Sequence, residues 1–374
     1  MRSRLIVFIC IVQSVLLLGH WFLYVTWRAF FGIPASSAGV KIALGVLSVS
    51  FVLASLRAWY SHQPLVRVWY TISAVWLGLA SYFLWAAVLC WIVVGADRLF
   101  GLGWAPRSIA AVLFTAAAAA GAYGVINAAW LRVTRIKVAL PNLPEHWRGR
   151  VAALVSDTHL GHVRNSRFIR RVVRILARLK PDIVFLAGDL YDGTAGDFEK
   201  LAEPWVELTT PHSPPVVPYG VYYIAGNHDE FYRDAEYHGP LVAAGVRELN
   251  NEKVEVDGLQ VVGIHYRDAT HPDRYRAVLR KAALDSARPS VLLLHAPYHM
   301  EIAEEEGVSL QLSGHTHGGQ FFPYTWIARR VWGKFIHGLQ QLGDLKIFIS
   351  YGAGTWGPPM RVGTFPEIVL IHFE

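Results

Sequence analysis

Five short polar clusters carry the residues of this chain whose types and spacing could do chemistry. They are Asp157-Thr158-His159, Gly188-Asp189-Leu190-Tyr191-Asp192, Gly226-Asn227-His228-Asp229, His295, and Gly314-His315-Thr316-His317. Each follows a short apolar run of strand character. Residues i and i+2 leaving a strand point the same way, so Asp157 can pair with His159 and His315 with His317. Asp157, Asp189, Asn227, His159, His295, His315 and His317 form a nitrogen and oxygen donor set without sulfur. Such a set suits Zn, Fe, Mn or a similar divalent ion. Seven donors are too many for one ion and fit two that share a carboxylate; two-metal hydrolases hold their ions about 3.5–4 Å apart. Taken singly, Asp189 or Asn227 after glycine could be turn chemistry alone. All five clusters together, each behind a strand, are not explained that way.

The elements that must position these residues begin near residue 132. Strands are expected at Val151–Ser156, Ile183–Ala187, Val221–Ala225, Ser290–Leu294 and Lys346–Ser350, with a strand pair at Val254–Val256 and Gln260–Ile264. Helices are expected near Ser166–Lys180, Asp197–Leu208, Asp234–Ala244 and Asp273–Leu284, and Pro211-His212-Ser213-Pro214-Pro215 reads as a loop. Strand–helix alternation predicts an α/β sheet packed between helices. In open α/β sheets ligands bind at the carboxyl ends of strands, so loops from separate strands can bring the five clusters to one point.

The ordered series D-x-H, G-D-x-x-D, G-N-H-D, H and G-H-x-H resembles the calcineurin-like metallophosphoesterase superfamily, over about residue 133 to 374. The longer Gly314-His315-Thr316-His317-Gly318-Gly319-Gln320 looks like a bacterial subfamily whose members are membrane-anchored or exported. The resemblance implies a four-layer αββα sandwich. It also implies roles: Asp157, His159 and His317 at a first metal, Asp189 bridging, and Asn227, His295 and His315 at a second. His228 would contact the phosphate and act as general acid, Asp229 would orient His228, and Asp192 would hydrogen-bond to ligands. In that scheme a water acidified between two cations attacks phosphorus in line, with no covalent enzyme intermediate.

The first third of the chain is of another kind. Of 35 Lys and Arg and 28 Asp and Glu, residues 1–137 hold 11 basic residues and one acid (Asp97), a balance of +10; the remainder is at −3. The basic charge flanks apolar runs at 5–27, 40–56, 69–95 and 108–131, each long enough to cross a bilayer, which takes about 20 helical residues. Mean hydropathy is +0.31, and Trp21, Trp27, Trp59, Trp69, Tyr70, Trp104 and Trp130 lie near the run ends, as an aromatic belt requires. Lys41 would have to snorkel. The first run is longer than a signal peptide's apolar core of roughly 7–15 residues, and reads as an uncleaved anchor. The chain thus divides into a four-helix transmembrane region, 1–131, and a metallophosphoesterase domain, 132–374. Nine basic residues on one side of the spans against four on the other predict a cytoplasmic catalytic domain, and the resemblance implies that the membrane is a bacterial inner membrane. Cys10 and Cys90 both sit in the apolar runs, which excludes a disulfide framework or a cysteine zinc site in the catalytic part.

Other segments bear on the substrate. The helix near Ser166–Lys180 sets Phe168, Val172, Ile175, Leu176 and Leu179 against five arginines and reads as an amphipathic cover with a solvated basic face. His162 and His299 are close in sequence to ligands. Phe321, Phe322 and Trp326, followed by Arg329, Arg330 and Lys334, suggest a segment resting on the bilayer interface beside the site. Arg361, in a glycine-rich closing segment, is a candidate phosphate contact.

The function expected is a membrane-anchored, dinuclear-metal phosphodiesterase or pyrophosphatase acting on a phosphate ester such as a lipid-linked one. The competing enzyme is a nucleotide or nucleic-acid phosphodiesterase, against which the −3 balance argues for long nucleic acids. The non-enzymatic competitor is a membrane transport or signalling protein with an inactive phosphoesterase domain. The full ligand set opposes it, as does the lack of acidic residues in the span cores.

Overall fold

The computed structural model describes residues 2–210, 215–232 and 234–374, so residues 211–214 of the expected Pro-rich loop lie outside the described residues. The chain divides into two units, Met1–Asn127 with Gly357–Met360, and Ala128–Trp356 with Arg361–Glu374.

In the first unit four helices, Arg2–Phe31, Ala38–Ala58, Pro64–Phe100 and Pro106–Ala129, are long and apolar enough to cross a membrane. Each runs a few residues past its apolar core in at least one direction. Pro64 opens the third without sacrificing a helical donor, and Gly101 ends it in the left-handed region (φ 66°). Burial is inverted relative to a water-soluble bundle. Small residues such as Ala74, Gly78 and Ala87 are buried, while Ile6, Leu18, Ile72 and Ile126 are exposed. The few polar groups pair internally: Trp76 Nε1 donates to His20 Nε2 at 2.9 Å, Trp91 Nε1 to Thr26 Oγ1 at 2.9 Å, and Gln13 Nε2 to Ser48 O at 3.1 Å. Gly121 admits Leu79, whose Cδ2 lies 2.4 Å from where a Cβ would stand, so the small-residue stretch does permit close packing.

Among its described residues the second unit holds twelve strands: β1 (Arg132–Val138), β2 (Val151–Val155), β3 (Ile183–Ala187), β4 (Val221–Ile224), β5 (Arg247–Glu248), β6 (Glu252–Val256), β7 (Leu259–Gly263), β8 (Ser290–Leu293), β9 (Leu310–Ser313), β10 (Gly338–Leu342), β11 (Leu345–Ile349) and β12 (Glu367–Phe373). They form two six-stranded sheets, ordered β1-β12-β2-β3-β4-β5 and β10-β11-β9-β8-β7-β6. β2, β3, β4 and β5 run parallel, as do β7, β8, β9 and β11, while β12 is antiparallel to β2.

Alternation along the strands decides the layers. Ala152, Leu154, Phe185 and Ile224 of one sheet meet Val261, Val291, Leu293 and Leu312 of the other in a central core. The opposite faces bury Ala153, Val155, Leu186 and Tyr223 under helix Ser166–Leu179, and Val262, Leu292 and Ile347 under helices Pro272–Ala282 and Met300–Glu305. The result is the expected helix–sheet–sheet–helix sandwich. Helix Ser166–Leu179 starts where the Asn165 side chain accepts from Arg167 N and buries Ile169, Val172, Val173 and Leu176, leaving Phe168, Ile175 and Leu179 only half-buried.

The structure corrects the expected helix at 197–208. Pro204 has no amide hydrogen and breaks it into Phe198–Ala202, a 3₁₀ turn at Glu203–Trp205, and Val206–Thr209.

Candidate metal centre

Every expected ligand lies just beyond the carboxyl end of a parallel strand: Asp157 and His159 after β2, Asp189 after β3, Asn227 after β4, His295 after β8, His315 and His317 after β9. The first three strands belong to one sheet and the last two to the other, so the site straddles the top of both. Five of the seven ligands have left-handed backbones: Asp157 (φ 51°), His159 (47°), Asp189 (50°), His315 (71°) and His317 (47°). That conformation costs a non-glycine residue roughly 1–2 kcal/mol, and such strain clusters at functional sites. Cross-loop hydrogen bonds hold it in place: Asp157 N to Gly188 O at 3.0 Å, His159 N to Asp189 O at 3.1 Å, Gly314 N to His295 O at 2.8 Å. Two motif glycines make room for carboxylates. A Cβ on Gly226 would lie 2.2 Å from Asp189 Oδ1, and one on Gly314 would lie 2.0 Å from Asp157 Oδ2.

The donors gather into three groups whose ligand atoms lie within 4.8 Å of one another: Asp157, His159 and His317; Asp189, His295 and His315; and, sharing a residue with each of these, His159, Asp189 and His228. Asp189 joins them, because its Oδ2 lies 3.7 Å from His159 Nε2 and 3.2 Å from His295 Nε2. His317 Nε2 is 3.5 Å from Asp157 Oδ1 and 3.0 Å from His159 Nε2, and His315 Nδ1 is 3.3 Å from His295 Nε2. Asn227 Oδ1 is buried with no hydrogen-bond partner, and an orphaned oxygen among imidazoles and carboxylates fits a divalent cation.

Burial sets the protonation. It pushes Asp157 up, and pulls His159 down, His315 down to about 3 and His317 far below its ordinary value, so these imidazoles are neutral and able to ligate. Asp189 goes the other way: burial opposes its charge, but His295 and His159 hold it ionised. His295 is likewise pulled down by burial, yet Asp189 and Asp157 raise it to about 10. Two facing carboxylates therefore favour positive charge at this point, which is what a bound cation would supply. Its other nitrogen, Nδ1, meets Ala187 O at 2.8 Å, which fixes the ring.

Around the ligands the structure separates the remaining candidates. His228 N donates to Asp189 Oδ1 at 2.8 Å, and its ring lies 4.8 Å from that of His159. His228 Nδ1 faces the carbonyl of Asp192 at 3.2 Å. That partner corrects the expectation that Asp229 orients the ring. The Asp229 carboxylate instead accepts from Gly226 N, Tyr191 N and Leu190 N, locking the β3 and β4 loops together. Asp192 Oδ1 lies 3.3 Å from His159 Nδ1, an ion-pair distance, while that ring nitrogen makes no hydrogen bond. Burial raises both Asp192 and Asp229 to about 7.

Arg361 does not reach substrate. It is 0% exposed and donates to His317 O (3.0 Å), Tyr351 O (2.7 Å) and Gly354 O (2.7 Å), because loop carbonyls fill its fork. Phe321 is buried against Tyr324, whereas Phe322 and Trp326 are exposed and pack edge-on at 4.9 Å. His162 is buried against Thr194 Oγ1. Aromatic rings also border the centre, and no periodicity in the sequence marks them for that place. Trp332 lies 5.7 Å from the His315 ring, and Phe231 and Trp356, both exposed, lie 5.3 and 5.9 Å from that of His228.

Comparison with known proteins bears on this geometry. Residues 151–319 match the family model described as calcineurin-like phosphoesterase. An Aquifex aeolicus protein named an uncharacterized metallophosphoesterase is 31% identical over 260 residues, 68% of this chain and 96% of that protein. A zebrafish (Danio rerio) transmembrane protein with metallophosphoesterase domain is 30% identical over 294 residues, 74% of this chain and 64% of that one. A Campylobacter jejuni protein, also named an uncharacterized metallophosphoesterase, is 29% identical over 249 residues, 65% of this chain and 63% of that one. The match thus spans just under two thirds of the zebrafish and Campylobacter proteins.

Proposed function

The chain belongs to the calcineurin-like phosphoesterase family, and we propose that it is a membrane-associated, metal-dependent phosphoesterase, specifically a dinuclear phosphodiesterase or pyrophosphatase. The observation that carries this reading is the single Asp189 Oδ2 placed between His159 and His295, one from each donor group. Asp157, His159 and His317 would hold one divalent ion, Asn227, His295 and His315 the other, with Asp189 shared. When bound, such ions supply Lewis acidity, lowering the pKa of water and neutralising phosphate charge. The chain's own groups do the rest. His228, kept neutral by burial and by His159, turns Nδ1 to the Asp192 carbonyl. If Nδ1 carries the proton, Nε2 is free to receive and return one at the leaving oxygen.

The membrane setting favours a phosphate ester presented at the bilayer, such as a lipid-linked one. We further propose residues 132–374 as the catalytic domain, carried by a multi-pass anchor at 1–131 in a bacterial cytoplasmic membrane with the catalytic domain inside. The Gly314–Gln320 stretch supports membership of the subfamily with membrane-anchored or exported members. A second reading, a nucleotide phosphodiesterase, is favoured by the exposed Phe231 and Trp356 rings beside His228, which could stack on a base.

The test is metal analysis of the purified full chain, coupled to hydrolysis of a generic chromogenic diester, a nucleotide diester and a lipid diester. About two ions per chain are expected, with turnover abolished by Asp189→Ala and by His228→Ala. Unchanged turnover in both variants would rule the site out, and preference for the nucleotide diester would favour the second reading.

A further inference from the structure

Helix Tyr324–Trp332 is built the wrong way round for a water-facing helix. None of its residues is buried, and its apolar stripe of Ile327 and Val331, one turn apart, faces outward, at 59% and 70% exposed. A soluble helix turns such a stripe to the core. Phe322 and Trp326, edge to face, add exposed aromatic surface at its start. The side turned inward carries Thr325 and Trp332. The backbone of Tyr324 and Thr325 closes on Gly319, and the Trp332 ring packs on Tyr298 and on ligand His315, each at 5.7 Å. The outward face is therefore mounted directly on the rim of the metal centre.

Charge says what covers it. The helix and the turn after it carry Arg329, Arg330 and Lys334, and no acidic residue occurs between Glu306 and Asp344. No ion pair reaches these three cations among the described residues. Exposed Trp, Ile and Val beside Arg and Lys that no carboxylate meets is the composition of a helix lying in a lipid interface, where rings and aliphatics enter the acyl boundary and cations meet anionic headgroups. The sequence also keeps a bilayer within reach, since only Trp130 and Leu131 separate the fourth apolar helix from β1.

We propose that helix Tyr324–Trp332 seats in the surface of an anionic bilayer, holding the rim of the metal centre, through Trp332 on His315, at headgroup depth. The occupant is the lipid surface, not a second copy of the chain. The inference deepens the proposed function, because a phosphate at headgroup depth is what a site so placed would meet, but its test does not depend on turnover.

The full chain, with Cys10→Ala and Cys90→Ala, would be labelled with an environment-sensitive fluorophore at Ile327→Cys. In a second protein the label would be placed at exposed Lys281→Cys in helix Pro272–Ala282. Both are reconstituted into phosphatidylcholine vesicles containing brominated lipid, with or without phosphatidylglycerol. Quenching at 327 but not at 281 is expected, stronger with phosphatidylglycerol. Arg329→Gln and Arg330→Gln should each lower the seated-to-unseated ratio about fivefold on the anionic vesicles. A label at 327 as water-exposed as that at 281 overturns the proposal. So does self-transfer between labels at 327 without lipid quenching, which would assign the stripe to a second copy. Seating of the helix in a protein that hydrolyses no phosphate ester would sink the enzymatic reading alone.

Discussion

Arg361 donates through Nη1 to the carbonyl of His317 at 3.0 Å, while its Nη2 lies 3.1 Å from Nδ1 of the same residue. The guanidinium also draws in Tyr351 O and Gly354 O, so one cation ties the His317 turn to the closing segment of the chain. Burial lowers it to about 10, and it remains charged at neutral pH. Its charge adds to burial in keeping His317 neutral, the state a metal ligand needs. Lysine cannot reproduce the planar fork. Arg361→Lys is expected to weaken metal affinity roughly 10- to 100-fold, as for other groups that orient ligands. Equilibrium dialysis of the purified protein against Mn or Zn measures it, and wild-type affinity in the variant would show that Arg361 serves only the loop.

Glu367, at the start of β12, is the carboxylate partner in the same neighbourhood. It accepts from His337 Nε2 at 3.0 Å, Tyr351 N at 2.9 Å and Ser350 Oγ at 3.2 Å, and from Thr134 Oγ1 at 2.5 Å. Burial opposes its charge, but these donors prevail and hold it below the ordinary 4.5. A depressed carboxylate stabilises the fold above its unfolded pKa, and that contribution is lost as pH falls through the folded value. Glu367→Gln should therefore cost about 1–3 kcal/mol at neutral pH, the penalty for a buried network left short of one partner. The gap in thermal midpoint between variant and wild type should close below about pH 4.5. A gap constant from pH 7 to pH 3 would show that the charge of Glu367 contributes nothing.

Gly226 and Gly314 offer a separate test of how the ligands are packed. A methyl group at 226 would lie 2.2 Å from Asp189 Oδ1 and 2.4 Å from Asp189 N, so the bridging carboxylate itself would have to move. Gly226 sits at the end of β4, where its own φ is not in the left-handed region, so alanine suits the backbone and only the space is wrong. Gly226→Ala should leave the far-ultraviolet circular dichroism unchanged and remove more than about 90% of turnover, since a ligand displaced by even 1 Å can cost two orders of magnitude. Metal content should fall with it. Full metal content and full turnover would mean that Asp189 does not bridge.

How much of this was readable from residue order follows from where each signal resides. The four apolar helices and the strands before each ligand are local patterns, so Val151–Val155 or Ile183–Ala187 could be read directly. β12 could not be placed in the same way: Glu367–Phe373 finds its position between β1 and β2 only through pairing across more than two hundred residues. The ligand residues were legible because their types and spacing are constrained by coordination chemistry. Their partners were not. Asp229 follows His228 in sequence, yet its carboxylate turns to the backbone of the β3 loop, and Arg361 looks like a free cation until the carbonyls around it are seen. Trp332 lies fifteen residues after His317 and reaches His315 only because helix Tyr324–Trp332 doubles back over the turn.

Trp356 and Phe231 flank His228 on its exposed side, at 5.9 and 5.3 Å between ring centroids, and both are more than half exposed. The Trp356 backbone is held on both sides by Gln320, whose side chain accepts from Trp356 N at 2.8 Å and donates to Trp356 O at 2.9 Å, so the ring stands on a fixed base. Fixed aromatic faces beside the proposed proton donor would border the leaving group of a bound ester. An aromatic contact of this kind contributes about 0.5–1.5 kcal/mol beyond area burial, or roughly two- to tenfold in rate constant. Trp356→Ala should lower kcat/KM by that factor for a diester with an aromatic leaving group, mostly through KM, and change little for one with a methyl leaving group. Steady-state kinetics on the two soluble esters decides the matter. Equal losses on both would place Trp356 in the support of the loop and leave the leaving-group side of the site unassigned.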